Sequence, residues 1–149
     1  MATRTQLIEA ARKYTGIRWR HQGRSRMGMD CVGLLVLAGQ DVGLPIKDFK
    51  AYARRSNGDD LIQAFYDNGC VRVAVNGMIP GDVLVLSDKI FPHHVALFTG
   101  TMPLGSIKVP SLIHARMEQN GKGVVREERM TDELMRDIHY VFRVPGLES

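Results

Sequence analysis

The chain has 149 residues, enough for one compact domain with a hydrophobic core and too few for two. Its hydrophobic share of 44% and charged share of 24% are those of a globular protein, which excludes a wholly disordered or fibrous chain. The net charge of +4 is a moderate basic excess that identifies no partner by itself. No stretch approaches the roughly 20 apolar residues of a membrane span. We therefore predict a single domain over residues 1–149 and no membrane partner.

The N-terminal part of the chain predicts a helix and then an irregular loop. Apolar residues recur at helical spacing after a polar start at Thr3 or Thr5, and the helix should run to about Tyr14, with Gly16 ending it. Charged residues are spread through this stretch, so it lacks the apolar core of a secretory signal, and we expect synthesis in the cytoplasm without a signal peptide. The loop over 17–29 contains a basic cluster, RWRHQGRSR, at 18–26. This cluster predicts either a solvated loop or a surface for an anionic partner such as nucleic acid, a wall polymer or a substrate.

A buried helix is predicted directly after Asp30. This residue is a favourable N-cap, and the stretch CVGLLVLAGQDV behind it is apolar nearly all round before Gly43 and Pro45. Cys31 then occupies the first turn, where free backbone N–H groups and the positive end of the helix dipole favour a thiolate. We therefore expect a lowered pKa and a nucleophilic role for Cys31. The alternative is an ordinary core cysteine, since free cysteine is among the most buried residue types.

The rest of the chain predicts short strands and two short helices. Helices first and antiparallel strands after them are typical of an α+β domain, and we predict a meander of about five to six strands. A turn is expected at IPGD, positions 79–82. The predicted helices cover 59–66 and 132–137, and the predicted strands cover 71–75, 83–87, 94–99, 111–116, 123–128 and 139–144.

The histidines supply candidates for the general base that a cysteine nucleophile needs within hydrogen-bond reach. In HHVALFTG the side chains alternate, so His94 and Ala96 should share one face and Val95 the other. The small Ala96 would leave room for a helix end, which makes His94 a better base than His93. On the next predicted strand, His114 could hold the ring of His94 through its other nitrogen. A single histidine is more often a structural or surface residue than a catalytic one. The two histidines together with the capped cysteine, however, indicate a Cys-His-His site.

Three blocks of the sequence carry a family resemblance. GIRWRHQGRSRMGMDCVGLLVLAGQDVGLP, IPGDVLVLSDKIFPHHVALFTG and LIHA resemble, in order, the conserved blocks of the NlpC family of papain-like cell-wall peptidases, from about Leu7 to Val125. The resemblance implies a papain-like α+β fold with N-terminal helices and a buried helix carrying the cysteine. It places the nucleophile on Cys31, the base on His94 and the orienting residue on His114. It also implies cleavage of amide bonds in peptidoglycan stem peptides, often between D-glutamate and a diamino acid, without a metal or organic cofactor.

The chain departs from the family pattern beside the cysteine. Many members have Tyr where this chain has Trp19, and many have Ser directly after the cysteine where this chain has Val32. The resemblance implies that substrate is bound around these positions, and we expect Trp19, Arg24, Asp30 and Val32 to contribute. The block around Cys31 looks more like members encoded by tailed phages and prophages. This implies phage tail proteins as partners and a tail-associated location with action at the cell wall.

Two alternative functions stay open at this point. A domain of this shape can serve as a structural adaptor at a phage tail tip with little activity, and the changed residues Trp19 and Val32 leave room for that role. A basic nucleic-acid-binding module is the second alternative, but the cluster at 18–26 contains few aromatic residues and no accompanying motif.

The remaining polar candidates predict structural roles. Cys70, in NGCVRV, has no neighbouring histidine or helix cap and is expected to be a core residue. We interpret the acid pair at 59–60 as a helix start and the pair Glu127–Glu128 as a solvated strand face. Neither pair is accompanied by a second cluster with metal-ligand spacing, so we predict no metal site.

Overall fold

The structure, a computed structural model, describes residues 2–48, 59–87, 93–118 and 122–148. Within these ranges the chain forms four α-helices and eight β-strands, which confirms the predicted α+β class. Residues 88–92, which belong to the second of the three sequence blocks, lie outside the described ranges. The helices are α1 (Arg4–Arg12), α2 (Cys31–Asp41), α3 (Asp59–Asp67) and α4 (Asp132–Arg136); the strands are β1 (Arg24–Ser25), β2 (Gly28–Met29), β3 (Val71–Val73), β4 (Val83–Leu86), β5 (His94–Leu104), β6 (Ile107–Ala115), β7 (Val125–Arg129) and β8 (Ile138–Arg143).

Six strands form one antiparallel sheet in the order β3-β8-β4-β5-β6-β7. The C-terminal strand β8 lies between β3 and β4, so the sheet is not the simple meander expected from the sequence. Consecutive strands are neighbours in most sheets, and short strands of similar pattern do not reveal an insertion of this kind. The number of strands agrees with the prediction.

The β5–β6 hairpin extends further than predicted. A tight turn at Gly105, whose φ is +62°, joins the two strands. From Thr101 to Pro110, β5 and β6 pair only with each other, so this part of the hairpin is a two-stranded ribbon. Pro103 and Pro110 interrupt the strand pattern in the sequence, but prolines are tolerated where a strand has an open edge.

The two faces of the sheet carry separate apolar clusters. Because side chains alternate along a strand, Val95 and Leu97 pack with α1 and α2, whereas Ala96 packs with the segment around α4. We call these the helix face and the groove face. The helix face includes Val83, Val85, Val95, Leu97, Ile113, Ala115 and Phe142, and the groove face includes Leu84, Leu86, Ala96, Leu112, Ile138 and Val141.

The segment between α1 and α2 is more regular than the irregular loop expected from the sequence. After α1 the chain turns at Gly16, whose φ is +91°. The strands β1 and β2 then form a short ribbon, and Trp19 forms a parallel bridge with Met29. Strands of two residues are too short to show a hydrophobic period, which explains why the pattern did not reveal them. Among the described helices, none has both the length and the apolar character needed to cross a bilayer.

Candidate active site

The start of α2 is built around the buried carboxylate of Asp30. Its Oδ1 accepts a hydrogen bond from the Gly33 backbone N–H at 2.8 Å, which is the predicted N-cap. Its Oδ2 accepts from the Gln22 backbone N–H at 2.8 Å, and the Arg24 guanidinium donates to Oδ1 at 3.1 Å. Asp30 therefore fixes both the first turn of the helix and the preceding loop, and Cys31 becomes the first helical residue.

Gly33 allows this loop to close over the helix. A Cβ added at Gly33 would collide with the backbone carbonyl oxygen of Gly23 and would lie 3.3 Å from Asp30 Oδ1. The glycine two positions after the cysteine is thus required by close backbone packing beside Cys31.

The electrostatics of Cys31 differ from the sequence-based expectation. Burial raises the pKa of the Cys31 thiol to about 12, and the negative charge of Asp30 adds to that rise. Hydrogen bonds from backbone N–H groups lower the pKa of the thiol, and they come from Val95, Val32 and Cys31 itself. The predicted lowering of the pKa is therefore wrong for the unliganded protein, because burial and the neighbouring carboxylate outweigh the helix N-terminus. The resting thiol is protonated at neutral pH.

His94 and His114 form a direct pair on the groove face. Nε2 of His94 lies 2.8 Å from Nδ1 of His114, and both side chains are buried. The second nitrogen of His114, Nε2, lies 2.5 Å from Oε2 of Glu128 on β7. Burial lowers the pKa of His94 well below its usual value near 6.5, and the charges of His114 and Arg116 act in the same direction. The imidazole of His94 is therefore neutral at neutral pH.

The two histidines and Cys31 approach β5 from opposite faces. Cys31 packs against the helix-face cluster, and the Val95 backbone N–H is directed at its thiol. The expectation that Ala96 makes room for the helix end is wrong, because Ala96 packs in the groove-face cluster. Among the described residues, no hydrogen bond joins the thiol to the His94 ring.

A gap in the pairing between β5 and β6 lies where the start of α2 meets β5, next to His94. The recorded pairing of β5 with β6 begins at Leu97 and Ile113, whereas β5 pairs with β4 from His94 onward. The first turn of α2 meets β5 at Val95, within the stretch where β6 does not pair with it. The thiol therefore lies next to the strand residue that follows His94.

A groove of about 410 Å³ lies over the histidine pair on the groove face. Charged side chains of both signs line it, among them Arg116, Arg129, Glu133 and Asp137. A separate apolar cavity of about 70 Å³ lies under α2 and is lined by Cys70 but by none of Cys31, His94 and His114. The mixed charge of the groove suits a polar ligand that carries both carboxylates and amines.

The residues expected to bind substrate have different surroundings. Arg24 is engaged by Asp30 and by Asp48, whose Oδ1 lies 3.0 Å from its Nε. Val32 is 3% exposed and belongs to the helix-face core. Trp19 is half-buried beside Met29 and retains exposed surface near the start of α2. Of the predicted set, Trp19 is thus the side chain placed best for contact with a ligand.

The predicted solvated strand face is wrong for Glu128, a site residue that the sequence pattern does not single out. It is half-buried and bonded to His114 instead. The signal that could have found it is the alternation of β7, which places Glu128 opposite Leu112 and therefore on the same face as His114.

Two other predictions concern residues away from this site. Cys70 is a free, buried cysteine in the helix-face core, as expected. In the basic cluster, the Arg26 guanidinium lies 4.7 Å from the Tyr14 ring centroid, and Arg24 holds the helix cap. These contacts give part of the cluster a role inside the fold.

The chain is similar to known proteins in both sequence and structure. The sequence model of the NlpC/P60 family matches residues 16–138. The NlpC/p60 domain of the peptidoglycan hydrolase SagA superposes with a TM-score of 0.62 at 17% identity, covering 96% of this chain and 100% of that one. An NlpC/P60 family protein from Bacillus cereus ATCC 10987 superposes with a TM-score of 0.66 at 18% identity, covering 97% of this chain and 41% of that one. No curated protein sequence gives a significant match.

Proposed function

The chain belongs to the NlpC/P60 family, and on that premise we propose that it is a cysteine peptidase acting on peptidoglycan stem peptides. Cys31 is the nucleophile, His94 is the general base, and His114 orients the base. The observation that carries this assignment is the buried His94–His114 hydrogen bond, formed where the first turn of α2 presents Cys31 to β5.

The neutral resting forms of thiol and imidazole define the first step. When a stem-peptide carbonyl carbon reaches Cys31, the thiol proton passes to Nδ1 of His94 as the sulfur–carbon bond forms. The backbone N–H of Cys31, at the open end of α2, stabilises the negative charge that develops on the carbonyl oxygen. Hydrogen bonds of this kind are often absent in unliganded enzymes and tighten on substrate binding.

The second half of the reaction returns the site to its starting state. His94 donates the proton to the leaving amine as the carbon–nitrogen bond breaks, which leaves a thioester on Cys31. Water then attacks the thioester as His94 accepts a proton from it. The carbon–sulfur bond breaks, His94 returns the proton to the Cys31 sulfur, and the acid product leaves and ionises. No step requires a redox change.

The groove supports a more specific substrate proposal. A bond between D-glutamate and a diamino acid lies between a free carboxylate and a free amine. Arg116 and Arg129 offer partners for carboxylates, and Glu133 and Asp137 offer partners for amines, along the groove that contains His94. Trp19 supplies an aromatic surface near Cys31 in place of the tyrosine common in the family. We further propose association with a phage tail, on the strength of the resemblance around Cys31.

A second function, a structural adaptor with little catalysis, is favoured by one observation. The pKa of the Cys31 thiol is raised to about 12, so that the reactive thiolate is scarce until a partner or substrate changes its surroundings.

The test is hydrolysis of purified peptidoglycan fragments by the protein, by Cys31→Ala and by the matched control Cys70→Ala. New free amines and cleaved fragments, identified by mass spectrometry, are expected with the parent and with Cys70→Ala, and none with Cys31→Ala. Identical blanks for all three proteins would favour the adaptor. Equal release by the parent and Cys31→Ala would exclude Cys31 as the nucleophile.

A further inference from the structure

Glu128 closes a chain of hydrogen bonds that starts at the proposed base. The chain runs from His94 Nε2 to His114 Nδ1 over 2.8 Å and from His114 Nε2 to Glu128 Oε2 over 2.5 Å. The other carboxylate oxygen, Oε1, lies 3.1 Å from Nε of Arg126, which holds the carboxylate in place. His114 is 1% exposed, so bulk water does not reach its ring, and the Glu128 carboxylate provides the hydrogen-bond partner of its Nε2.

We propose that Glu128 is a positioning residue that sets the tautomers of both histidines and so leaves Nδ1 of His94 unprotonated as the catalytic base. The inference rests on the proposed function for its catalytic consequence. The tautomer assignment itself rests on the hydrogen-bond geometry together with a neutral His114 ring, since a cationic His114 would donate from Nδ1 and reverse it.

The tautomers follow from the acceptor at the end of the chain. An ionised carboxylate can accept hydrogen bonds but cannot donate them, so Nε2 of His114 carries a proton. In a neutral His114 ring, Nδ1 is then an acceptor, and Nε2 of His94 must be the donor that faces it. The remaining nitrogen of His94, Nδ1, has a lone pair available for the thiol proton of Cys31.

The ionisation of Glu128 supports this direction. The hydrogen bond from His114 holds the pKa of Glu128 below its usual range, although burial acts to raise it. The nearby positive charges of Arg126 and Arg116 act in the same direction as the hydrogen bond. The carboxylate is therefore charged and acceptor-only at neutral pH.

Protonation of the histidine pair reverses the arrangement. If His114 takes a second proton, its Nδ1 becomes a donor to Nε2 of His94. The single proton of the neutral His94 ring must then lie on Nδ1, so that Nδ1 can no longer act as the base. The Glu128 charge favours any cationic form of the pair, so removing that charge should move the acid limb of activity to lower pH. The charged and titratable groups that face the pair are Glu128 and Arg126 on β7, Arg116 after β6, Arg129 after Glu128, and Glu133 and Asp137 around α4. Cys31 and Asp30, at the start of α2, lie on the other side of β5.

The experiment compares Glu128→Ala and Glu128→Gln with Glu127→Gln. Glu127 is the adjacent acid on β7, but it pairs with Ile113 on the helix face and binds Arg12 at 2.9 Å, away from the histidines. Nitrogen-15 NMR of the imidazole rings reports the tautomers without any substrate. In the parent and in Glu127→Gln we expect His94 with Nδ1 unprotonated, and in Glu128→Ala a mixture of tautomers.

Hydrolysis of stem-peptide fragments supplies the second readout. Glu128→Ala should lower kcat about 10- to 100-fold with little change in KM, less than the roughly 10⁴-fold loss seen when the residue bonded directly to a base is changed. The kcat of Glu128→Gln should lie between those of the parent and Glu128→Ala, because its amide oxygen can accept a hydrogen bond but carries no charge. The acid limb of kcat/KM should move to lower pH in both variants and stay unchanged in Glu127→Gln.

The outcomes separate this inference from the proposed function. A protonated His94 Nδ1 in the parent, or a Glu128→Ala protein with the tautomers and pH profile of Glu127→Gln, would overturn the role of Glu128. A parent with the expected tautomers but no hydrolysis would contradict the proposed function while supporting the tautomer assignment.

Discussion

The strands β5 and β6 contribute to both faces of the sheet, but the side chains on the helix face differ in chemistry from those on the groove face. On the helix face, Val95, Leu97 and Ile113 are fully buried apolar residues under α1 and α2. On the groove face, His94 and His114 interrupt the apolar row and form a polar chain with Glu128. Two neighbouring residues of one strand therefore point to opposite faces: Val95 contacts the start of α2, and His94, the proposed base, lies in the groove. In the proposed mechanism, the gap in the β5–β6 pairing beside Val95 is where Cys31 and His94 act together.

Removing the base from the groove face should have the largest effect. His94→Ala should lower kcat for stem-peptide hydrolysis by about 10²- to 10⁴-fold, because proton transfer to and from Cys31 loses its positioned group. The free energy of unfolding should also fall, by about 1–4 kcal/mol, because the change leaves a cavity and removes the hydrogen-bond partner of the buried His114 Nδ1. Hydrolysis rates, measured under conditions where urea unfolding shows the variant to be folded, check both statements. A folded variant that hydrolyses stem peptides at the parent rate would contradict the role of His94 as the base.

A substitution on the helix face should lower stability but leave activity unchanged. Leu97→Ala should lower the free energy of unfolding by about 2–5 kcal/mol, because it leaves a cavity under α2 in a fully buried site. At temperatures where the variant is folded, kcat should stay close to that of the parent. The matched control is Leu104→Ala, at the 46% exposed end of the same strand, which should cost less than about 1 kcal/mol. Equal costs at the two positions would contradict the assignment of the helix face as the main core.

The smallest effect is expected at the helix cap. Asp30→Asn keeps one oxygen that can cap the Gly33 N–H, but its amide NH2 cannot accept from the Gln22 N–H and its charge no longer pairs with Arg24, so the free energy of unfolding should fall by about 1–3 kcal/mol. It removes the negative charge that helps raise the pKa of Cys31, so that pKa should fall from about 12. Alkylation of Cys31 by iodoacetamide should then begin at lower pH than in the parent, with Asp48→Asn as the control for loss of a charge bonded to Arg24. An unchanged or higher onset would show that burial alone sets the thiol pKa.

Local features of the fold could be predicted from the sequence, whereas long-range ones could not. Asp30 and the apolar run behind it define α2, and strand alternation places His94 and His114 on one face. The insertion of β8 between β3 and β4 depends on pairing between distant segments. The pKa of Cys31 depends on burial by the surrounding fold, which the helix-start argument leaves out. Glu128 became identifiable once the β6–β7 register placed it beside His114.

The most direct test of the account is whether His94 activates Cys31 across the strand. The rate of iodoacetamide alkylation of Cys31 near neutral pH, followed by peptide mass spectrometry, should fall sharply in His94→Ala and stay at the parent level in His93→Ala. Total alkylation of Cys31 and of the buried Cys70 after unfolding in urea serves as the internal standard and should be equal in all three proteins. A Cys31 rate that is unchanged in His94→Ala, or that falls in His93→Ala instead, would contradict the assignment of His94 as the base.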